Sequence, residues 1–328
     1  MTRYLVLAAL MLRYRVALML WTFLLLGAAA IDGLASLGPR YGWAVLALGA
    51  SYVTATTIND VADERIDRVN HPQDRGRPLV TGDVTRRELL GLHAGSAAVA
   101  LLAAVPLGAT SVAVIAVSLL IARAYSVGPV RLSYRTYLAP AVLAVAYVLL
   151  PFTLGALLAG ADRPTANAAL LAAALYALFV ARIVLKDFRD RAGDARFGRP
   201  TLLLRFGKSA TCLTSLAALV VGDVLLLAVL RPDPVPAVVL QALVAAVAVA
   251  LHRLWRTDEP HREQVAIGVG ARLGNGALLF VLGLLVLDAR PSAVGEQVPF
   301  AVAMALVFGL NAAALLTRPD QVLIGYKG

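Results

Sequence analysis

Long apolar runs alternate with short basic segments along the whole chain. The runs approach the roughly 20 residues that a helix needs to cross a bilayer. They predict about ten helical spans, at 16–31, 41–58, 89–107, 108–127, 137–160, 166–185, 209–230, 235–251, 273–289 and 298–317. Alanine, leucine and valine dominate each run, which suits close helix–helix packing in lipid. The longest polar stretches, about 59–88, 186–208 and 252–272, leave no room for a soluble domain of any size. The predicted fold class is all-α: a single polytopic transmembrane helical bundle comprising residues 1–328.

Composition sharpens this picture. The chain is 60% hydrophobic with a mean hydropathy of +0.78. A net charge of +10 would suit nucleic acid, but the basic residues lie in short segments between spans. They read as topology signals, with membrane lipid and no nucleic acid as the partner. With the N-terminus in the cytoplasm, 26 of the 30 Lys and Arg residues fall on the cytoplasmic side. Only Arg40, Arg163, Arg231 and Arg290 fall on the other side. The single cysteine, Cys212, lies in an apolar run and excludes an intrachain disulfide. The first apolar run lacks a small-residue cleavage site and is read as retained. An integral protein of the bacterial cytoplasmic membrane is expected.

Candidate chemistry comes from a repeated acidic pattern. Asp-x-x-Asp-x-x-x-Asp occurs as Asp60, Asp63 and Asp67, and again as Asp187, Asp190 and Asp194. At about 100° per residue, offsets of 0, 3 and 7 share one face of a helix. Carboxylates so placed repel each other, so a plain stabilising role is disfavoured. Mg²⁺ commonly bridges protein carboxylates to substrate phosphates. Each triad is predicted to bind one Mg²⁺, and the two together to clamp a pyrophosphate. Gly-Arg-Pro follows each copy, at 76–78 and 198–200, and the copies are about 127 residues apart. That separation predicts two pseudo-repeated four-helix halves around a central cavity, with the site at their interface and facing the cytoplasm.

Neighbouring residues complete the candidate set. Asn59 can give an oxygen to the metal or an amide to phosphate; its bland role is a helix cap. Lys186 is the best single candidate for a phosphate-binding charge, against a snorkelling interfacial lysine. Arg77 and Arg199, in the Gly-Arg-Pro turns, are placed to reach phosphate. Arg65, Arg68, Arg189 and Arg191 alternate with the acids and balance their charge. Tyr125 ends the fourth span and can bond pyrophosphate or face a carbocation, or simply sit at the membrane interface. His71 lies near the first triad but has no metal-binding partner in sequence; His93, His252 and His261 have none either. No histidine is assigned to catalysis.

These motifs resemble the UbiA superfamily of intramembrane prenyltransferases. The first signature is NDVADERIDRVNHPQDRGRPLVTG, residues 59–82, and the second is KDFRDRAGDARFGRPTL, residues 186–202. A weaker third is YSVGPVRLS, residues 125–133. The resemblance covers roughly residues 10–290. It implies nine transmembrane helices around a cavity and Mg²⁺-dependent ionisation of an isoprenyl diphosphate. A small lipophilic or aromatic acceptor, such as a quinone precursor, captures the allylic cation. It also implies that Asn59, the six aspartates and Lys186 form the metal and diphosphate set. Three departures stand out: extra residues Gln73–Gly76 before Arg77-Pro78, Gly128 and Ser133 in the third motif, and a tenth apolar run at 298–317.

Three rivals follow. A terpene cyclase of the same superfamily would capture the cation with the substrate's own double bonds. A polyprenyl-phosphate phosphoribosyltransferase matches His71-Pro72, but the intact second Asp motif favours a prenyl diphosphate donor. A membrane transporter is disfavoured because the acids cluster at span ends on one side.

Overall fold

The computed structural model describes residues 2–161, 165–290 and 295–317. Arg163, Arg318 and Lys327, which entered the charge count, lie outside the described residues. Among the described residues every regular element is helical. A short helix α1 (Thr2–Met11) precedes the first span, α2 (Tyr14–Asp32). Next comes α3 (Pro39–Asn70), with 32 residues. At ~1.5 Å per residue it outreaches the ~30 Å hydrocarbon core, so its last turns carry the first Asp motif beyond the apolar run.

After the turn α4 (Pro78–Thr81) the chain returns through α5 (Arg86–Ala104) and α6 (Ala109–Ser126). The start of α5 is fixed by Thr85 and Glu88, which cap each other's backbone. The fifth span is interrupted: a π-helical turn at Val145–Leu149 joins α7 (Leu138–Ala144) to α8 (Leu150–Leu158). A 3₁₀ turn, Val184–Lys186, likewise joins α9 (Ala166–Ile183) to α10 (Asp187–Arg196), which carries the second Asp motif. Long helices α11 (Leu202–Leu230), α12 (Pro234–Arg256) and α13 (Pro260–Asp288) follow. The tenth apolar run forms α14 (Gln297–Thr317), which packs on α12 and α13 and stacks Phe300 on Phe280 at 5.6 Å.

Among the described residues, eight helical segments are long and apolar enough to cross a bilayer. Two predicted spans are not among them: 298–317, whose apolar stretch Gln297–Asn311 is shorter, and 41–58, where Ser51, Thr54, Thr56 and Thr57 dilute the apolar character. Those hydroxyls are buried and satisfied: Ser51 bonds Ser118 at 2.9 Å and Thr54 bonds Ser96 at 2.8 Å. Close packing fixes α2 against α8. A Cβ on Gly27 would lie 2.0 Å from the Phe152 carbonyl oxygen, and one on Gly155 only 1.8 Å from that of Leu24. Only glycine lets these backbones touch. One buried cluster joins α2, α9 and α13 through Phe23, Leu175 and Phe280. Another joins α3, α5, α6 and α8 through Leu48, Ala100, Ile115 and Leu154. A cavity of about 760 Å³ is walled by residues of α2, α3, α6, α9 and α13.

Candidate active site

The polar end of this cavity is assembled where α3 and α10 meet. Thr56 on α3 donates to the Met11 carbonyl at 2.9 Å and so anchors the end of α1. One turn along α3 is Asp60, which places Arg13 over it. Arg13 Nη2 donates to both Asp60 carboxylate oxygens, at 2.8 and 2.9 Å. The Arg13 backbone is left-handed, with φ 42°, a conformation that non-glycine residues adopt at a cost. The ion pair offsets it. Arg77, in the first Gly-Arg-Pro turn, folds back onto Asp67 and lies 3.6 Å from Asp60. Asn59 Nδ2 donates to Asp63 at 3.1 Å. Asn59 sits inside α3, so it is no helix cap.

The second motif docks directly on the first. Gly193 N donates to Asn70 Oδ1 at 2.6 Å, at the last residue of α3. A Cβ on Gly193 would lie 2.7 Å from the Ile66 carbonyl oxygen, so the Gly-Asp pair of the motif permits this approach. His71 Nε2 lies 2.9 Å from Asp190 Oδ1. Arg199, in the second Gly-Arg-Pro turn, donates to Asp63 and lies 3.4 Å from Asp194. It therefore bridges the two motifs. Lys186 Nζ donates to the Tyr125 hydroxyl at 3.0 Å. The loop after Tyr125 is tied in as well, because Thr136 donates to the Pro200 carbonyl at 2.6 Å.

The predicted residues thus come together, in unequal settings. Asn59, Arg77, Tyr125, Lys186 and Asp190 line the large cavity. Asp187, Asp194 and Arg199 line a narrow cleft beside it, with Lys186 and Tyr125. Asp60, Asp63 and Asp67 are buried behind arginines. Among the described residues, no three His, Cys, Asp or Glu side chains converge as a ready-made metal cage. The donor chemistry still fits Mg²⁺, which usually takes one or two carboxylates and completes its shell with water and substrate phosphate. Asp194 Oδ1 is a buried acceptor that receives no hydrogen bond. The nearest positive charge to it is Arg199 Nη1, at 3.4 Å.

Of the arginines read as charge balance, Arg68 pairs with Glu64 at 3.0 Å and Arg191 with Glu263 at 3.1 Å. Arg189 lines the cavity. Two arginines counted only as topology signals are also drawn in: Arg13 holds Asp60, and Arg182 faces the cavity wall. Arg182 carried a readable signal, a charge inside an apolar run one turn before Lys186. Arg13 carried none, because its role arises from the fold of α1 onto α3. Tyr52, Tyr147 and Phe179 also line the cavity, in edge-to-face contacts of 5.8 and 5.7 Å between ring centroids.

Comparison with known proteins shows the family and the fold. The bacteriochlorophyll synthase 33 kDa chain of Cereibacter sphaeroides is 27% identical over 269 residues, 79% of this chain and 85% of that protein. Homogentisate phytyltransferase of Synechocystis is 33% identical over 193 residues, 55% of this chain and 58% of that protein. A solved UbiA homologue from Archaeoglobus fulgidus, bound to DMAPP and Mg²⁺, superimposes with a TM-score of 0.61 at 19% identity, covering 84% of this chain and 98% of that one. The model of the UbiA prenyltransferase family matches residues 18–276, and the chain belongs to that family.

Proposed function

We propose that the protein transfers an isoprenyl group from an isoprenyl diphosphate to a lipophilic or aromatic acceptor, with Mg²⁺. One observation carries this reading: Arg13, Asn59, Arg77, Lys186 and Asp190 meet at one end of a cavity whose other walls are largely apolar. The cationic end matches a diphosphate and the apolar walls match an isoprenoid tail. The solved Archaeoglobus homologue, bound to DMAPP and Mg²⁺, supports the same assignment. The acceptor class is supported by the relative homogentisate phytyltransferase, named for an aromatic acid.

The six aspartates, with Asn59, would hold Mg²⁺, which when bound neutralises charge on the diphosphate oxygens. Lys186, Arg77 and Arg13 orient the diphosphate. The allylic carbon–oxygen bond breaks with its electron pair leaving on pyrophosphate. An acceptor atom then bonds to the allylic carbon and releases its proton. Tyr52, Tyr147 and Phe179 on the cavity wall would exclude water, and a ring face turned to the allylic cation would stabilise its charge. The motif end faces the cytoplasm, as the basic-residue bias supports.

The test supplies purified protein with Mg²⁺ and ten-, fifteen- or twenty-carbon allylic diphosphates, with and without aromatic acceptors. The expected result is Mg²⁺-dependent pyrophosphate release and an acceptor that gains the prenyl mass. A cyclised hydrocarbon formed without acceptor would make the protein a cyclase, and no release from any diphosphate would end the reading.

A further inference from the structure

Helices α10, α11 and α13 meet at a charged cluster beside the second Asp motif. Glu263, in the first turn of α13, is 4% exposed. Its carboxylate accepts from Arg191 Nη2 of α10 at 3.1 and 3.4 Å, and from Lys208 Nζ of α11 at 2.9 Å. Lys208 also donates to the Thr257 carbonyl and, at 3.2 Å, to Asp258, both in the turn between α12 and α13. The Arg191 guanidinium lies over the Phe188 ring, 5.4 Å from its centroid. Phe188 in turn packs with Leu203, Leu254 and Ile267. Glu263 is thus fixed from α11, and Arg191 is held against α13.

Arg191 has nearer partners in sequence. It follows Asp187 by four residues and precedes Asp194 by three, and both offsets make neighbours on a helix. An acid four residues before a base is the favoured order for such a pair. Among the described residues, however, neither aspartate pairs with Arg191, and both line the narrow cleft. Burying Glu263 is costly, and an apolar group of similar volume often serves stability as well as a buried ion pair does. What such a group could not do is hold Arg191 off its own helix.

We propose that Glu263 is a positioning residue for the second Asp motif: it keeps Arg191 away from Asp187 and Asp194, where a cation would compete with Mg²⁺. The proposal rests on reading the aspartates of α10 as Mg²⁺ ligands. Without the Glu263 charge, Arg191 returns to its helical neighbours and the metal must displace it. The effect runs through Arg191, so removing Arg191 should cure the loss of Glu263.

Binding of Mn²⁺ alone, as a stand-in for Mg²⁺, can be read by paramagnetic resonance on the full-length protein in detergent. The Mg²⁺ concentration that half-saturates pyrophosphate release from an allylic diphosphate gives a second readout. Glu263→Gln should weaken Mn²⁺ binding and raise the Mg²⁺ requirement by about fivefold or more, while kcat at saturating Mg²⁺ stays within about threefold. Arg191→Met alone should change either readout by no more than about twofold, and Glu263→Gln with Arg191→Met should match it. Glu263→Asp keeps the charge but shortens its reach. It should weaken the metal by about twofold to threefold, again cured by Arg191→Met, and keeps the test open if Glu263→Gln misfolds. An unchanged metal requirement in Glu263→Gln, or a double variant as impaired as Glu263→Gln, would overturn the proposal and leave Glu263 a structural ion pair. A wild-type protein that neither binds Mn²⁺ nor needs Mg²⁺ for pyrophosphate release would instead reject the metal reading, and the proposal with it.

Discussion

The two Asp motifs share one spacing, yet the fold treats them differently. On α3, Asp60 and Asp67 are buried and paired with Arg13 and Arg77, and Asp63 is paired with Arg199. On α10, Asp190 opens onto the cavity with a fifth of its side chain exposed, while Asp194 keeps a buried oxygen without a hydrogen bond. The following Gly-Arg-Pro turns differ too. Arg77 folds back on its own motif, whereas Arg199 crosses to the other one. A repeated sequence pattern therefore yields two settings. The α3 motif is charge-balanced by arginines, and the α10 motif leaves Asp190 open to the cavity.

The sharpest way to break this comparison is Asp190→Asn. It keeps the side-chain shape and removes the charge at the cavity. Pyrophosphate release should fall by about a hundredfold or more, equivalent to ~2.7 kcal/mol in barrier. A variant that keeps more than about a tenth of wild-type activity at saturating Mg²⁺ would show that the α10 motif is dispensable.

Stability should separate the two turns. Arg199→Met removes the bridge and leaves Asp63 and Asp194 uncompensated, and breaking such a buried pair typically costs about 3–5 kcal/mol. Arg77→Met acts on a more exposed site and leaves Asp60 with Arg13. Thermal unfolding in detergent should show a larger fall in Tm for Arg199→Met than for Arg77→Met. Equal shifts would remove the distinction between bridging and local arginines.

Lys186→Met keeps the apolar stem and removes the charge. A charge-assisted phosphate contact is worth ~1.5–3 kcal/mol, so kcat/KM for the prenyl diphosphate should drop about tenfold or more. Unchanged kinetics would return Lys186 to the topology signals. A fourth measurement concerns sidedness alone. In a Cys212→Ser background, an impermeant thiol reagent applied from outside should label Gly38→Cys and spare Asp83→Cys. The reverse pattern would put the diphosphate end on the wrong side for cytosolic substrates.

Much of this was legible in the chain because it depends on local periodicity. Apolar runs fixed most spans, and offsets of three and seven placed each Asp triad on one helix face. The reason for the Gly-Asp pair in the second motif was not legible, because it is the tertiary approach of Gly193 to Asn70. What was not legible depends on tertiary approach. Arg13 resembles any basic flank of a first span until α1 folds onto α3. His71 has no partner in sequence because Asp190 lies 119 residues away. The span at 41–58 is weaker in composition than its neighbours because its hydroxyls pair across helices, which no hydropathy average records.

The central claim is that the two motifs form one functional unit, and a double-mutant cycle tests it most directly. Mg²⁺-dependent pyrophosphate release from an allylic diphosphate would be measured for Asp60→Ala, Asp190→Ala and the double variant, each checked for a monodisperse fold. The account predicts that either single change removes nearly all turnover and that the second adds less than about tenfold further loss, since groups acting as a unit are non-additive. Two partial losses that multiply in the double variant would mean that the motifs act independently, and would contradict the account.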